Sequence, residues 1–302
     1  MRTTIFAIAA IAAATGLTSC NKDEAVNNDE LVAVQFASGI AEVETRANET
    51  TWTAGDPVGI YMIGALATLT TTNTLADNKQ YTATAGATPT ANFSATAGNT
   101  IYYPASGDDV KFIAYYPYGT VTSFTLPISV ASQSNLAAID VMYAPAGTAT
   151  YNKSSGTVNL PFAHKLVKLV FNISNGTGVT EAPSNGISVA ILGQQTAGEL
   201  DLATGTVTPG TGTAATITAS GNATVEAIVL PNTSTTGMGF TFTNGAAETF
   251  TGSIPALSAS WAGGNKYTYM VTLQKTGAGT GAVITGTITA WNDVAGGGIT
   301  AE

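Results

Sequence analysis

Arginine is almost missing from this chain: there are two in 302 residues, beside eight lysines. Histidine and cysteine occur once each, and charged side chains make up only 10%. Each shortage excludes something. A single cysteine, Cys20, excludes disulfides within the chain. A Ser-His-Asp site would have to use His164. That residue sits in a strand-like pattern between Phe162 and Lys165, where a buried, hydrogen-bonded structural histidine is expected. Zinc needs a cluster of His, Cys or carboxylate ligands, and the sequence offers none. Asp108-Asp109 beside Gly107 reads as a loop cap, because calcium requires more oxygen ligands at defined spacing. There is no phosphate-binding loop and no dinucleotide fingerprint, and nothing points to a two-carboxylate hydrolase. The expectation is therefore a protein that is not an enzyme and carries no cofactor. A net charge of −9 also argues against nucleic acid as a partner, since neutralising phosphates needs Lys and Arg.

What is present begins at the N-terminus. Arg2 gives a positive start, and Ile5 to Ala14 (IFAIAAIAAA) is an apolar run of signal-peptide length, too short to span a bilayer. Leu17-Thr18-Ser19-Cys20 resembles a bacterial lipobox, which makes residues 1–19 a lipoprotein signal peptide and Cys20 the lipidated residue. Each buried CH₂ contributes roughly 0.8 kcal/mol, so several acyl chains would hold the protein on a membrane. Residues 20–30 form a polar tether. Its Asn21-Lys22-Asp23-Glu24 is similar to the short acidic export tags of surface lipoproteins in Bacteroides-type bacteria.

Low charge, much Thr and Gly, and aromatic punctuation read as all-β. In LVAVQFA (31–37), Val32, Val34 and Phe36 share one face at period 2, and Ser38-Gly39 interrupts the pattern. WTAGDP (52–57) has turn chemistry. VGIYMI (58–63) reads as a buried strand. Residues 64–99 are weakly patterned, which predicts long loops with one or two edge strands. KFIAYYPY (111–118) and DVMYA (140–144) are strands, with a short helical turn within 132–138. LPFAHKLVKLVFNIS (160–174) is the strongest period-2 segment. Val167, Leu169, Phe171 and Ile173 line its dry face, and His164, Leu166, Lys168 and Val170 a less dry one. Further strands are expected at 187–192, 224–230, 239–243, 266–273 and 282–291. In KYTYMVTL, Tyr267, Tyr269, Val271 and Leu273 alternate with Lys266, Thr268, Met270 and Thr272. Strands in each half with turn signals between them suggest two antiparallel sandwiches. These span 31–158 and 159–302, with the break near Gly156 to Leu160.

Taken in order, several segments resemble the fimbrillin family, in its Mfa-like branch of Bacteroidales-type (type V) pilus lipoproteins. They are Val34-Gln35-Phe36, Thr45-Arg46-Ala47, TWTAGDPVGIYM, FIAYYPY, DVMYAPA and LPFAHKLVKLVFNIS. GELDLATGTV (198–207), AIVLPNT (227–233), NKYTYMVTL and ITGTITAW complete the series. The resemblance implies two tandem transthyretin-like β-sandwiches. It implies a precursor that reaches the outer membrane and cell surface on its lipid. An arginine-specific surface protease would then cut between Arg46 and Ala47 and remove the first strand. Val32, Val34 and Phe36 would fill a groove before that cut. Afterwards the C-terminal segment of a neighbouring pilin, Val283 to Trp291 with the tail Asn292 to Glu302 and with Val283, Ile284, Ile288 and Trp291 as candidate donor residues, would fill it head-to-tail. Contacts of that kind do not close, so they build filaments.

The expected function is a structural subunit, stalk or tip, of an adhesive fimbria. Two alternatives accompany it: a non-polymerising surface lipoprotein that binds glycan or protein, and a pilus anchor that keeps its lipid. Tyr102-Tyr103 and Tyr115-Tyr116-Pro117-Tyr118 are the residues that would stack on sugars in the first of these. Arg46 separates the readings, because after removal of the signal it is the chain's only arginine.

Overall fold

The structure, a computed structural model, describes residues 31–40, 51–84, 90–254, 259–276 and 279–290. Cys20, Arg46, Ala47 and Trp291 lie outside them. The protein is all-β. Its first half contributes β1 (Phe36–Ile40), β2 (Pro57–Gly64), β3 (Thr74–Ala83), β4 (Thr90–Ala95), β5 (Val110–Tyr116) and β6 (Thr125–Ser129). A single helical turn, α1 (Leu136–Ile139), follows and is capped by the Asn135 side chain. Then come β7 (Met142–Ala144), β8 (Val158–His164) and β9 (Val167–Asn175). The second half adds β10 (Ile187–Gln194), β11 (Ala197–Asp201), β12 (Thr206–Pro209), β13 (Ala215–Gly221) and β14 (Thr224–Val229). It ends with β15 (Gly239–Asn244), β16 (Thr249–Gly252), β17 (Asn265–Thr276) and β18 (Gly279–Ala290).

Three sheets result. Seven strands close into a ring in the order β1-β4-β3-β2-β5-β7-β8; eight form a sheet in the order β13-β10-β15-β16-β18-β17-β9-β14; β12, β11 and β6 form a third. The ring interior is packed with Val58, Ile60, Met62, Phe112, Ala114 and Phe162, among others. The intervening residues of the same strands, Tyr61, Ile63, Ile113 and Tyr115, belong to a second core shared with Leu169, Phe171 and Tyr269. β2 and β5 are thus covered on both faces. That is why their sequences are nearly continuous apolar runs rather than alternating ones.

Four expectations change. Ser38 does not end the first strand: β1 runs through it to Ile40. Residues 64–99 hold a ten-residue strand, β3, that is interior to the ring, between β2 and β4. Its pattern was hidden by Thr, Asn and Lys and by a register shift against β2 near Asn78, whose φ is +41°. The long segment 160–174 is two strands: β8 joins the ring and β9 the eight-stranded sheet, so the chain changes sheet between His164 and Val167, after the expected break at 156–160. The face expected to be less dry is buried at Leu166, Lys168 and Val170. Lys168 there meets Glu226 of the neighbouring β14 at 3.1 Å, and a buried cation requires such a partner.

Exposed strand edges invite pairing with other chains. The third sheet carries Pro127 in β6 and Pro209 in β12, which cannot donate to a ladder. β14 is guarded by a side chain instead. The Gln133 amide accepts from the Ile228 N–H at 2.8 Å and donates to the Ile228 carbonyl at 2.9 Å. It imitates a strand and also donates to Val130 O at 2.7 Å.

Candidate functional site

The segment from Val32 to Ile40 is the part of the ring with the most distinctive connections. It first runs beside the 101–103 segment, where the Val34 N–H donates to Ile101 O (2.9 Å) and the Tyr103 N–H to Val32 O (3.0 Å). Then β1 inserts between two strands. It pairs antiparallel with β4, Phe36 opposite Phe93, and parallel with β8, Phe36 opposite Val158. Without β1, β4 and β8 would be the two ends of an open sheet.

Alternation dictates which side chains enter. Val34 and Phe36 are buried, Val32 is half-buried against the same core, and Gln35 points outward. Phe36 is 2% exposed. Its ring meets Tyr81 at 5.1 Å and Phe112 at 5.0 Å, both edge-on. Tyr81 is itself tied in place, its hydroxyl accepting from the Ile101 N–H at 2.8 Å. Two residues on, Ser38 is 1% exposed, and its hydroxyl donates to Leu160 O at 2.9 Å. Sequence reasoning missed Ser38 because Ser-Gly is a turn signal. Its position in step with Val34 and Phe36 was the available clue.

The residues proposed as the donor are elsewhere. Val283, Ile284 and Ile288 lie in β18, paired with Thr272, Val271 and Tyr267 of β17 along a hairpin that spans both strands. On its other side β18 meets β16 at one position, Gly281 with Thr251. The structure therefore brings Val32, Val34 and Phe36 together in the ring and leaves the three β18 residues in the eight-stranded sheet.

The polar candidates have structural partners. His164 Nδ1 lies 2.9 Å from Asp140 Oδ1, both buried. Asp108 accepts from Ser106 Oγ at 2.7 Å, and Asp109 from Asn152 Nδ2 at 2.8 Å. Among the described residues, no group of three or more His, Cys, Asp or Glu side chains could hold a metal ion. The tyrosines proposed for sugar stacking are mostly core. Tyr103, Tyr115 and Tyr116 are buried, and only Tyr102, at 42%, is exposed. Tyr115 packs against Gly59, where an added Cβ would sit 2.2 Å from its ring.

Burial pushes the Tyr115 and Tyr143 hydroxyls up to about 12, and those of Tyr61 and Tyr116 upward as well. The sign follows from the raised values. The fold favours the neutral phenol, so this contribution is complete below the unfolded value near 10 and is lost as pH climbs towards 12. In an alkaline titration, phenolate absorbance from these four should appear together with loss of the native circular dichroism. Complete ionisation with that signal intact would contradict their burial.

A closed ring in which one N-terminal strand is paired on both sides defines an all-β protein whose most distinctive feature is that strand. The chain belongs to the fimbrillin-like family, whose model matches residues 45–291. A relative from Bacteroides uniformis, named as a candidate fimbrium subunit, Fim1C, is 37% identical over 285 residues, 89% of this chain and 90% of the relative. A crystal structure of a candidate cell adhesion protein from the same species aligns with a TM-score of 0.71 at 29% identity, over 87% of this chain and 98% of that one. Another, from Bacteroides ovatus, shares the fold with a TM-score of 0.66 at 19% identity, over 87% and 98%. This is a family of fimbrial and cell-adhesion proteins of cell-surface appendages, structural and not enzymatic.

Proposed function

We propose that the protein is a subunit of an adhesive fimbria, stalk or tip, assembled by protease-triggered strand exchange. It is exported on the signal peptide 1–19 as a lipoprotein held in the outer membrane through Cys20 and the tether 20–30. In this reading the chain forms two transthyretin-like sandwiches, the ring being the first of them with its groove occupied. An arginine-specific protease cuts between Arg46 and Ala47, and the segment carrying Val32, Val34 and Phe36 departs with the lipid. A strand of the next subunit, from Val283 to Trp291, then takes its place.

The observation that carries this reading is the two-sided pairing of β1. One short strand near the N-terminus closes the ring between β4 and β8, and it ends six residues before the exported chain's only arginine. Its loss would expose unpaired backbone groups on both neighbours and an apolar socket between them. An incoming strand restores both, with main-chain bonds for affinity and alternate side chains for selection.

Sequencing the N-terminus of the cell-surface protein tests it. A start at Ala47 is expected, and Arg46→Ala should block maturation while leaving the fold intact. Fimbriae sheared from cells carrying Arg46→Ala would remove Arg46 as the cleavage site. A mature protein that still begins at the lipidated Cys20 would favour an anchor or a non-polymerising surface lipoprotein.

A further inference from the structure

β1 buries two side chains of opposite chemistry two residues apart, Phe36 and Ser38. We infer that the groove left by residues 31–40 accepts a strand of a second copy bearing a large apolar side chain in the Phe36 socket. Two residues later that strand must bear a small hydroxyl side chain at the place of Ser38. This rests on the strand-exchange reading above.

The argument starts from a degeneracy. Side chains alternate with period 2, so a strand that slips by two residues keeps its apolar face inward. Val32, Val34 and Phe36 alone would allow such a slip. Two neighbouring positions in the groove remove that freedom, because they require opposite chemistry. At the first, Phe36 is held edge-on by Tyr81 and Phe112. At the second, Ser38 is flanked by Ala91 of β4 and Leu160 of β8 and bonds the Leu160 carbonyl. A slip one way drives the phenylalanine ring into the serine's place, against a packed backbone carbonyl. A slip the other way sends the hydroxyl between the rings of Tyr81 and Phe112, an apolar setting where a buried polar group without a bond is costly. Either slip loses both fits at once. The buried serine therefore acts as a specificity determinant: its bond to the Leu160 carbonyl adds affinity only when the strand is in the aligned register.

The test uses the signal-free protein nicked by an endoprotease that cuts only after arginine. The resident fragment is challenged with fluorescent synthetic peptides spanning residues 31–46, and their uptake is followed by anisotropy. The native peptide and a Gln35→Thr control should enter equally, since Gln35 points outward. Ser38→Thr and Ser38→Val have nearly the same shape and differ in the hydroxyl, so the valine peptide should bind roughly 5- to 10-fold more weakly than the threonine one, as one lost hydrogen bond predicts. A peptide with the phenylalanine and serine exchanged between positions 36 and 38 should not enter detectably. Equal binding of the Ser38→Thr and Ser38→Val peptides, with the native peptide bound, would overturn the inference and leave strand exchange standing. Failure of every peptide, the native one included, would overturn strand exchange and this inference with it.

Discussion

Replacing Phe36 with alanine in the uncleaved protein should cost about 3–5 kcal/mol of folding stability, the range for deleting a buried phenylalanine ring. The environment places it at the upper end. The ring makes two edge-on aromatic contacts, each worth roughly 0.5–1.5 kcal/mol beyond area alone. The socket has little means of collapse, because Tyr81 is tied through its hydroxyl to Ile101 and Phe112 sits on β5, which is covered on both faces. Urea denaturation of the signal-free protein measures the loss, with Gln35→Ala as an outward-facing control expected to change little. A loss below about 1 kcal/mol, the scale of a surface change, would mean that the backbone ladder alone holds β1 and that the groove lacks a real anchor. The proposed assembly depends on this number. A first strand that is firmly seated keeps the precursor folded and its edges covered until a replacement of equal quality arrives. A loosely seated one would leave two open edges exposed to any chain nearby.

The parts of this fold legible in the sequence were those with one dry face. Val32, Val34 and Phe36 alternate cleanly, and so do Tyr267, Tyr269, Val271 and Leu273 against the exposed Met270. Period 2 is written into such strands. The double-sided strands β2 and β5 were found too, because runs like VGIYMI can be little else between turn residues. β3 was not, since its threonines, Lys79 and Asn78 carry a strand through side chains that are only partly buried. Nor was the third sheet. β6 pairs with β11 from Thr125 opposite Asp201 to Ser129 opposite Ala197, and no local pattern announces a partner so distant in sequence. At the candidate site the anchors were visible and the register-setting serine was not, because a lone Ser-Gly pair reads the same in a turn and in a strand. His164 was read correctly as a buried, hydrogen-bonded residue, though its partner Asp140 was not visible; Gln133 could not be placed, since its role is defined by the backbone of Ile228 on a distant element.

The same dependence on distant partners sets the second large effect, Gly205→Ala. Gly205 closes the β11–β12 hairpin with φ of +71°, its N–H donating to Asp201 O at 2.7 Å. An added Cβ would lie 2.4 Å from Cε1 of Tyr143 on β7. The tyrosine cannot easily yield: it is buried, and its hydroxyl donates to Leu202 O at 2.9 Å. Two costs therefore combine. A left-handed backbone costs a side chain roughly 1–2 kcal/mol, and overpacking a filled site costs roughly 1–3 kcal/mol, so the loss should be about 2–5 kcal/mol. A double-mutant cycle separates them. In a Tyr143→Leu background the steric part should disappear, and Gly205→Ala should then cost only about 1–2 kcal/mol, the backbone part. An unchanged penalty in that background would show that Tyr143 is not what the methyl group meets. The position matters because Tyr143 belongs to the ring, while Leu202 and Gly205 belong to the hairpin whose β11 pairs with β6. Through this contact the ring is fastened to the third sheet.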